Sequence, residues 1–154
     1  MGVKEKFIYK YGRSAFLVGL ATDFPPIILL VQAALETGWG QKVVGNNLYG
    51  IKNLSTLPGS VEFETHEFEN GEFVKVVDSF QSYESTLESM IGYISFIRTN
   101  ERYASAWVLR HDPERYFEAL QEAGYATDPL YAWKLKSIYH HFPKDWLEIL
   151  FGTV

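Results

Sequence analysis

The sequence predicts a single α+β domain over residues 1–154, mostly helical with one small β-hairpin. Three observations predict this class. Apolar residues recur at helical spacing in several stretches, whereas one stretch alternates apolar and charged residues around Asn70-Gly71. The length of 154 residues suits one core, and the chain shows no internal repeat, low-complexity tract or linker. We therefore expect helices to form the core and the hairpin to form a small lobe beside it.

The first predicted helix extends to about Thr22. Its basic residues and short apolar run resemble a signal peptide, but its apolar residues also recur at the spacing of a helix that packs on a core. These residues are Phe7, Ile8, Tyr11, Ala15 and Val18. We therefore interpret the segment as a core helix and find no convincing signal peptide, which leaves the export route open.

A second helix is predicted to end at Gly38. The run from Ile27 to Leu35 is strongly apolar, which predicts a buried helix. Asp23 or a neighbour is expected to cap it, with proline in its first turn. Glycines at positions 38 and 40 end the helix and leave Glu36 in its last turn.

Residues 61–77 predict a β-hairpin, because Phe, Val and Thr alternate with charged residues on both sides of Asn70-Gly71. If these two residues form the turn, Glu69 pairs with Glu72 and Glu67 pairs with Val74. In that register Glu67 lies mid-strand on the apolar face. It shares this face with Val61, Phe63, Thr65, Val74 and Val76.

Helical patterns return after the hairpin. One helix is predicted from Asp112-Pro113 to Gly124, and another opens at Asp128-Pro129. Pro143 separates a short terminal segment at 144–151. A helix over 82–98 carries a 3.6-residue apolar stripe of Tyr83, Leu87, Met90 or Ile91, Ile94 and Ile97. The helix after Pro129 carries Tyr131, Leu135 and Ile138.

Charge and motif content exclude several classes of function. The chain has 14 Lys plus Arg against 19 Asp plus Glu, a net charge of −5 without a dense basic run, so no nucleic-acid partner is expected. It has no cysteine, and its four histidines lack metal-ligand spacing. We therefore expect surface histidines, no metal and no cofactor.

No stretch is long and apolar enough to span a membrane, and a monomer is expected. Signatures of esterases, zinc proteases and nucleotide-binding loops are absent.

Glu36 has the setting that a general acid needs. Hydrolysis of a glycosidic bond requires a carboxylic acid that is protonated near neutral pH, and burial raises a carboxyl pKa because it penalises the anion. The helix before Glu36 is apolar, and Trp39 is expected to line the same cleft. A surface glutamate at a helix end is the alternative. The helix dipole disfavours a carboxylate there, which favours a functional role.

A second carboxylate is needed to activate water or to stabilise the oxocarbenium ion. Glu67 is the candidate, since it alone among the hairpin acids lies mid-strand on the apolar face. A slip of one residue in the strand pairing would exchange the two faces. The other acids are interpreted as solvated charges: Glu62, Glu64 and Glu69.

Six short motifs follow one another along the chain. They are QAALETGWG at 32–40, NLYGIK at 47–52, THEFENG at 65–71, FQSY at 80–83, NERY at 100–103 and AGYATDP at 123–129. In this order they resemble the glucosaminidase domains of glycoside hydrolase family 73, of the flagellar-hydrolase, autolysin and phage-lysin type. The resemblance implies a lysozyme-like core with a mobile β lobe, and endo-β-N-acetylglucosaminidase activity on the glycan strand of bacterial peptidoglycan. One position departs, because Gln81 replaces the arginine usual in its motif.

The resemblance also implies roles for individual residues. Glu36 matches the family's essential acid, Glu67 matches the hairpin acid, and Tyr125 matches a tyrosine that lines the cleft near the acid. Asn47 is expected either to bind an acetamido group or to build its own turn. Trp39, Tyr49, Tyr103 and Tyr131 are candidates for stacking on sugars, with the core as the alternative. The residues predicted to bind substrate are thus Tyr125, Trp39, Asn47 and Tyr49.

Two alternative functions are compatible with the sequence. A muramidase or a lytic transglycosylase shares the fold and a helix-end glutamate but cuts on the other side of the repeat. A non-catalytic wall-binding or virion module shares the fold without activity, and the presence of both Glu36 and Glu67 argues against it. Either way we expect action on the cell wall, in the periplasm or outside the cell. The acidic net charge gives no attraction to an anionic wall, so affinity is expected from cleft contacts or a partner.

Overall fold

A computed structural model of the chain describes residues 1–53 and 60–152. The described part contains seven α-helices, one two-stranded antiparallel sheet and a short 3-10 helix, Glu101–Tyr103. The helices are α1 (Val3–Thr22), α2 (Pro26–Thr37), α3 (Thr86–Thr99), α4 (Ala104–Val108), α5 (Pro113–Glu122), α6 (Tyr131–His141) and α7 (Trp146–Phe151). The strands are β1 (Ser60–Glu69) and β2 (Glu72–Gln81). The predicted α+β class is confirmed.

Helices α1 and α2 form the centre of the core. Helix α2 packs against α1 and α6, and its residues from 28 to 34 are all buried. The five apolar residues predicted for the inner face of α1 are buried as well. Helix α1 is therefore a core helix, as its periodicity predicts. Within the described part of the chain, none of the helices is long and apolar enough to cross a membrane.

The junction between α1 and α2 differs from the prediction. Asp23 does not cap α2 but ends α1 in a left-handed conformation with φ of 53°. Its carboxylate instead forms an ion pair with Arg110, with 3.1 Å between Oδ2 and Nη2. Pro25 occupies the cap position of α2, which has no side-chain cap. The proline backbone alone therefore sets the entry into α2.

The hairpin has the predicted register. Glu69 pairs with Glu72, Phe68 with Phe73 and Glu67 with Val74, around the turn at Asn70-Gly71. The pairing extends from Ser60 to Gln81, longer than predicted, and it adds Asp78 to the Glu67 face. The side chains of Val61 and Phe63, which were predicted for this face, lie outside the described residues.

The later helices begin and end close to their predicted positions. Asp112 caps α5, and Ser85 caps α3 by accepting a hydrogen bond from the Glu88 amide. Within α3, Met90, Ile94 and Ile97 are buried, whereas Leu87 is exposed. Helix α6 begins at Tyr131, after Leu130, because the Asp128 carboxylate accepts the Leu130 amide at 2.9 Å and holds a turn before the helix. The 3-10 helix and α4 were not predicted.

Candidate active site

The end of α2, the hairpin and the loop before α6 enclose a cleft of about 510 Å³. Glu36 lies in the last turn of α2, which ends where Gly38 adopts a left-handed conformation with φ of 57°. Both predicted acids line this cleft, together with Tyr125. The further lining residues used below are Gly50, Lys52, Phe73, Arg102, Tyr103, Thr127, Asp128, Tyr131 and Lys134.

The surroundings of Glu36 make it a weak acid. Burial raises the pKa of Glu36 from 4.5 to about 7, a hydrogen bond from Tyr131 opposes this, and the charge of Glu67 adds to it. The loop at Gly50 closes one side, since a Cβ at that position would lie 3.0 Å from Oε2 of Glu36. Gly50 also has φ of +65°, a conformation that favours glycine. Glu36 is therefore protonated in a substantial fraction of molecules at neutral pH.

A buried hydrogen-bond chain fixes one oxygen of Glu36. The Tyr131 hydroxyl donates to Oε1 of Glu36 at 2.7 Å, and Nε2 of Gln32 donates to the Tyr131 oxygen at 3.0 Å. The other atom of the same amide group, Oε1 of Gln32, accepts a hydrogen bond from the Tyr93 hydroxyl. Burial, reinforced by the charge of Glu36, raises the pKa of Tyr131 well above its ordinary value, so this tyrosine remains a donor.

Both oxygens of Glu67 are also engaged. Nζ of Lys52 lies 2.7 Å from Oε1 of Glu67 and 3.0 Å from Oδ2 of Asp78. The Thr127 hydroxyl donates to Oε2 of Glu67 at 2.9 Å. Partial burial would lower the pKa of Lys52, but its bonds to the two carboxylates raise it overall. Lysine from one wall and threonine from the opposite wall thus position the Glu67 carboxylate.

The hairpin reaches across the cleft and contacts its far wall. The backbone amide of Phe68 donates to Oγ1 of Thr127 at 2.9 Å, so this amide points away from β2. Nearby, Nζ of Lys134 lies 5.5 Å from the centroid of the Phe73 ring, in the range of a cation–π contact. These contacts hold the hairpin over the cleft that contains Glu36.

Tyr125 lies in the cleft wall beside the acid. Its hydroxyl donates to the carbonyl of Tyr49 at 2.5 Å, and its ring stacks on Tyr131 with 5.8 Å between centroids. Glu36 is close enough for its charge to raise the pKa of Tyr125 after burial, the larger cause. The predicted place of Tyr125 near the acid agrees with this geometry.

The comparison with protein families identifies this arrangement. A family model named Glucosaminidase, described as mannosyl-glycoprotein endo-beta-N-acetylglucosaminidase, matches residues 13–144. The chain belongs to the glucosaminidase family. The chain is thus a glycoside hydrolase domain, and the resemblance found in its motifs is confirmed.

Curated relatives of this glucosaminidase domain include two named peptidoglycan hydrolase FlgJ. The protein of Pseudomonas aeruginosa is 44% identical over 118 residues, which are 71% of this chain and 30% of the relative. That of Escherichia coli K12 is 38% identical over 145 residues, which are 89% of this chain and 46% of the relative. The chain therefore spans less than half the length of either relative.

Solved structures share the fold of this glucosaminidase domain. A peptidoglycan hydrolase mutant from Sphingomonas sp. A1 has a TM-score of 0.82 and 32% identity, covering 94% of this chain and 97% of that one. A C-terminally truncated glycoside hydrolase domain of FlgJ from Salmonella typhimurium has a TM-score of 0.70 and 36% identity, covering 90% and 96%. The expected lysozyme-like architecture is confirmed.

Trp39 does not lie where the sequence analysis placed it. Gly38 and Trp39 both have positive φ, of 57° and 60°, so the chain turns sharply after α2. The Trp39 ring stacks on Phe142 with 5.6 Å between centroids and meets Phe7 edge-on at 5.4 Å. It lines a small pocket beside α1 and not the cleft that holds Glu36, so the prediction that it lines the acid's cleft is wrong.

Asn47 has a structural role in this glucosaminidase domain and does not line the cleft, whereas Tyr49 lines it with a buried ring. Oδ1 of Asn47 accepts the Tyr49 amide at 3.1 Å, and Nδ2 donates to the carbonyls of Ile51 at 2.8 Å and Gln81 at 2.9 Å. Asn47 therefore builds its own turn. The Tyr49 ring is 0% exposed and stacks on Tyr93 with 4.3 Å between centroids, so it has no face for a sugar.

Other sequence expectations have mixed outcomes. Tyr103 and Tyr131 border the cleft but are each only 4% exposed, which leaves little ring area for stacking. Gln81, which replaces the usual arginine, donates to the Ser82 carbonyl at 3.0 Å and accepts a hydrogen bond from Nδ2 of Asn53 at 3.2 Å. The four histidines are exposed as expected: His66, His111, His140 and His141. Within residues 1–53 and 60–152 there is no cluster of possible metal ligands.

The sequence analysis did not identify several residues that hold the two acids. Gln32, Lys52 and Thr127 each contact an acid or its hydrogen-bond partner. Tyr131 was considered for stacking and not as a donor to Glu36. Gln32 offered one signal, because it is a polar residue within the otherwise apolar run 27–35 and a buried amide requires partners.

Proposed function

We propose that this chain is a peptidoglycan hydrolase, an endo-β-N-acetylglucosaminidase in which Glu36 is the general acid. The observation that carries the proposal is the carboxyl of Glu36, which faces the cleft with a pKa of about 7. A group with this pKa is protonated often enough near neutral pH to give up a proton to a leaving group. The names of the FlgJ relatives support peptidoglycan as the substrate.

The hydrogen-bond chain behind Glu36 favours one carboxyl oxygen as the proton donor. Because Gln32 donates to the Tyr131 oxygen, the Tyr131 proton points toward Oε1 of Glu36. The acidic proton of Glu36 then resides on Oε2, beside Gly50. We infer that Oε2 protonates the glycosidic oxygen, while Tyr131 stabilises the carboxylate that is left.

Glu67 is suited to act on the other side of the sugar. Its carboxylate is positioned by Lys52 and Thr127, and it belongs to the hairpin that covers the cleft. A carboxylate there would stabilise positive charge on the sugar ring or activate a water molecule. Participation by the substrate's own acetamido group is compatible with the same arrangement and needs no second acid.

The proposed substrate locates the activity at the cell wall. The proposal includes action as a monomer. The chain itself carries the cleft and both acids.

Product analysis tests which bond is cut. Purified peptidoglycan is digested, the new reducing ends are converted with borohydride, and the products are identified by mass spectrometry. We expect reduced N-acetylglucosamine ends. Reduced muramic acid ends would instead identify a muramidase, and anhydromuramic ends a lytic transglycosylase. Binding to insoluble peptidoglycan with no released product would identify a non-catalytic wall-binding module.

A further inference from the structure

Arg102 is an exposed basic residue in the wall of the cleft. It is the middle residue of the 3-10 helix Glu101–Tyr103, and its amide donates to Oδ1 of Asn100 at 3.2 Å. The next residue, Tyr103, is 4% exposed and anchors the short helix to the core. The backbone under Arg102 is thus fixed, while its side chain faces the space where a glycan strand would lie.

The guanidinium group of Arg102 lies near the hydroxyl of Tyr103. Burial raises the pKa of the Tyr103 hydroxyl, and a side-chain hydrogen bond from Arg102 opposes that rise. A guanidinium group has five N–H donors in a planar fork, so one bond to Tyr103 leaves most of them for a ligand.

The other strong cations of the cleft are already paired with carboxylates. Lys52 contacts Glu67 and Asp78, and Lys134 contacts Asp128 at 2.5 Å. Among the described residues, no carboxylate forms an ion pair with Arg102. Among the described lysines and arginines that line the cleft, Arg102 is therefore the one that remains for an anionic ligand.

We propose that Arg102 binds a carboxylate of the glycan substrate, an inference that rests on the proposed function. The muramic acid units of peptidoglycan carry a lactyl group, whose carboxylate is free in strands without peptides. In strands with stem peptides that carboxyl is an amide, and the peptides supply carboxylates of their own. The planar fork of arginine matches either carboxylate. This contact gives a protein of net charge −5 local attraction to an anionic strand.

Binding measurements with an inactive background test the proposal. The Glu36→Gln protein and a Glu36→Gln, Arg102→Gln double variant are titrated calorimetrically with soluble peptide-free strands and with peptide-bearing strands. The same strands are also tested after carbodiimide-mediated amidation, which removes their carboxylate charges. Adding Arg102→Gln is expected to weaken binding of the charged strands on the order of 10- to 100-fold, the usual effect of a lost charged hydrogen bond. It is expected to leave the amidated strands unaffected.

Two further variants show that the effect belongs to this guanidinium group. Arg102→Lys keeps the charge and is expected to retain part of the affinity. Arg98→Gln removes an exposed arginine of α3 that does not line the cleft, and it is expected to change nothing. The class of strand that loses affinity, peptide-free or peptide-bearing, identifies the carboxylate that Arg102 recognises.

Three results would overturn the proposal: an equal loss of affinity for charged and amidated strands, no loss with either, or no binding of any strand by the Glu36→Gln protein. Because these titrations do not depend on turnover, they are distinct from a failure of the proposed function. That failure would appear as wild-type protein that releases no product from peptidoglycan.

Discussion

The Tyr131 hydroxyl donates a 2.7 Å hydrogen bond to Oε1 of Glu36, across 95 residues of sequence. Two opposing effects thus act on the acid. Burial raises its pKa, and the bond from Tyr131 lowers it, with the result at about 7. Loss of the tyrosine hydroxyl therefore changes the pKa of Glu36 but leaves its carboxyl in place.

Tyr131→Phe is expected to move the alkaline limb of the pH–activity profile to higher pH. The hydroxyl stabilises the charged carboxylate, so its removal raises the pKa of Glu36. A general acid loses activity as the pH rises through its pKa, so the variant stays active to higher pH. The measurement is kcat/KM against pH on soluble glycan strands. Tyr139→Phe on the same helix is the control, and a profile for Tyr131→Phe that shifts to lower pH would contradict the assignment.

Glu36→Gln is expected to stabilise the fold in alkaline solution. In the folded protein the pKa of Glu36 is about 7, above its ordinary 4.5, so the folded state binds more protons between these values. The stability of the wild-type protein therefore falls as the pH rises from 4.5 to 7. Glutamine carries no charge, so the variant does not lose this stability. We expect its free energy of unfolding to exceed that of wild type by about 1–3 kcal/mol, because the carboxyl borders the open cleft.

Urea unfolding at pH 8 and at pH 4.5 measures this effect. The variant is expected to be more stable than wild type at the higher pH and nearly equal to it at the lower pH. If wild type and variant differed by the same unfolding free energy at both pH values, burial of the ionised carboxyl would not be the cause of the difference.

Thr127→Val is expected to release the hairpin from the far wall and to slow hydrolysis. Valine has nearly the shape of threonine but lacks the hydroxyl that accepts the Phe68 amide and donates to Glu67. Each of these bonds contributes about 1 kcal/mol, which corresponds to roughly 5- to 30-fold in kcat/KM for one or both. Thr127 is exposed, so the core should be unaffected.

Hydrogen exchange at the Phe68 amide provides a readout that does not depend on turnover. Exchange should be faster in Thr127→Val and unchanged in Thr127→Ser, which keeps the hydroxyl. Thr127→Val should also have a smaller effect on activity in a Glu67→Gln background, because one of the two bonds of the threonine acts through that carboxylate. Full additivity of the two substitutions would rule out this coupling.

Gly50→Ala is expected to reduce activity more than a comparable glycine substitution elsewhere. The added Cβ would lie 3.0 Å from Oε2 of Glu36, the oxygen assigned to the acidic proton. Gly152→Ala is the matched control, since Gly152 also has positive φ, of +79°, but nothing lies within 4 Å of its Cβ position and it does not line the cleft. The two variants share backbone strain of about 1 kcal/mol or more. Equal rates for the two variants would show that contact between residue 50 and Glu36 does not affect activity.

Local patterns in the sequence predict much of the fold. The inner face of α1 and the apolar run of α2 repeat at helical spacing, and the turn at Asn70-Gly71 fixes the register that places Glu67 in the cleft. These features depend on neighbours in the chain. The apolar helix and the hairpin register identified Glu36 and Glu67, and motif resemblance supported both and added Tyr125; all three line the cleft.

Long-range contacts account for what the sequence did not predict. The bonds from Tyr131 to Glu36 and from Gln32 to Tyr131 join residues 95 and 99 positions apart, and no local pattern specifies such pairs. Trp39 was misplaced for a different reason. A non-glycine residue rarely adopts positive φ, yet Trp39 does so directly after Gly38, which directs its ring toward α1 and away from the acid.

The central claim is that Glu36 donates the proton that breaks the glycosidic bond, and the rate of Glu36→Gln on purified peptidoglycan tests it most directly. General acid catalysis contributes about 100- to 10,000-fold, so the variant is expected to lose at least about 100-fold in kcat/KM while its circular dichroism spectrum is unchanged. A folded Glu36→Gln protein that clears peptidoglycan at the wild-type rate would contradict the claim.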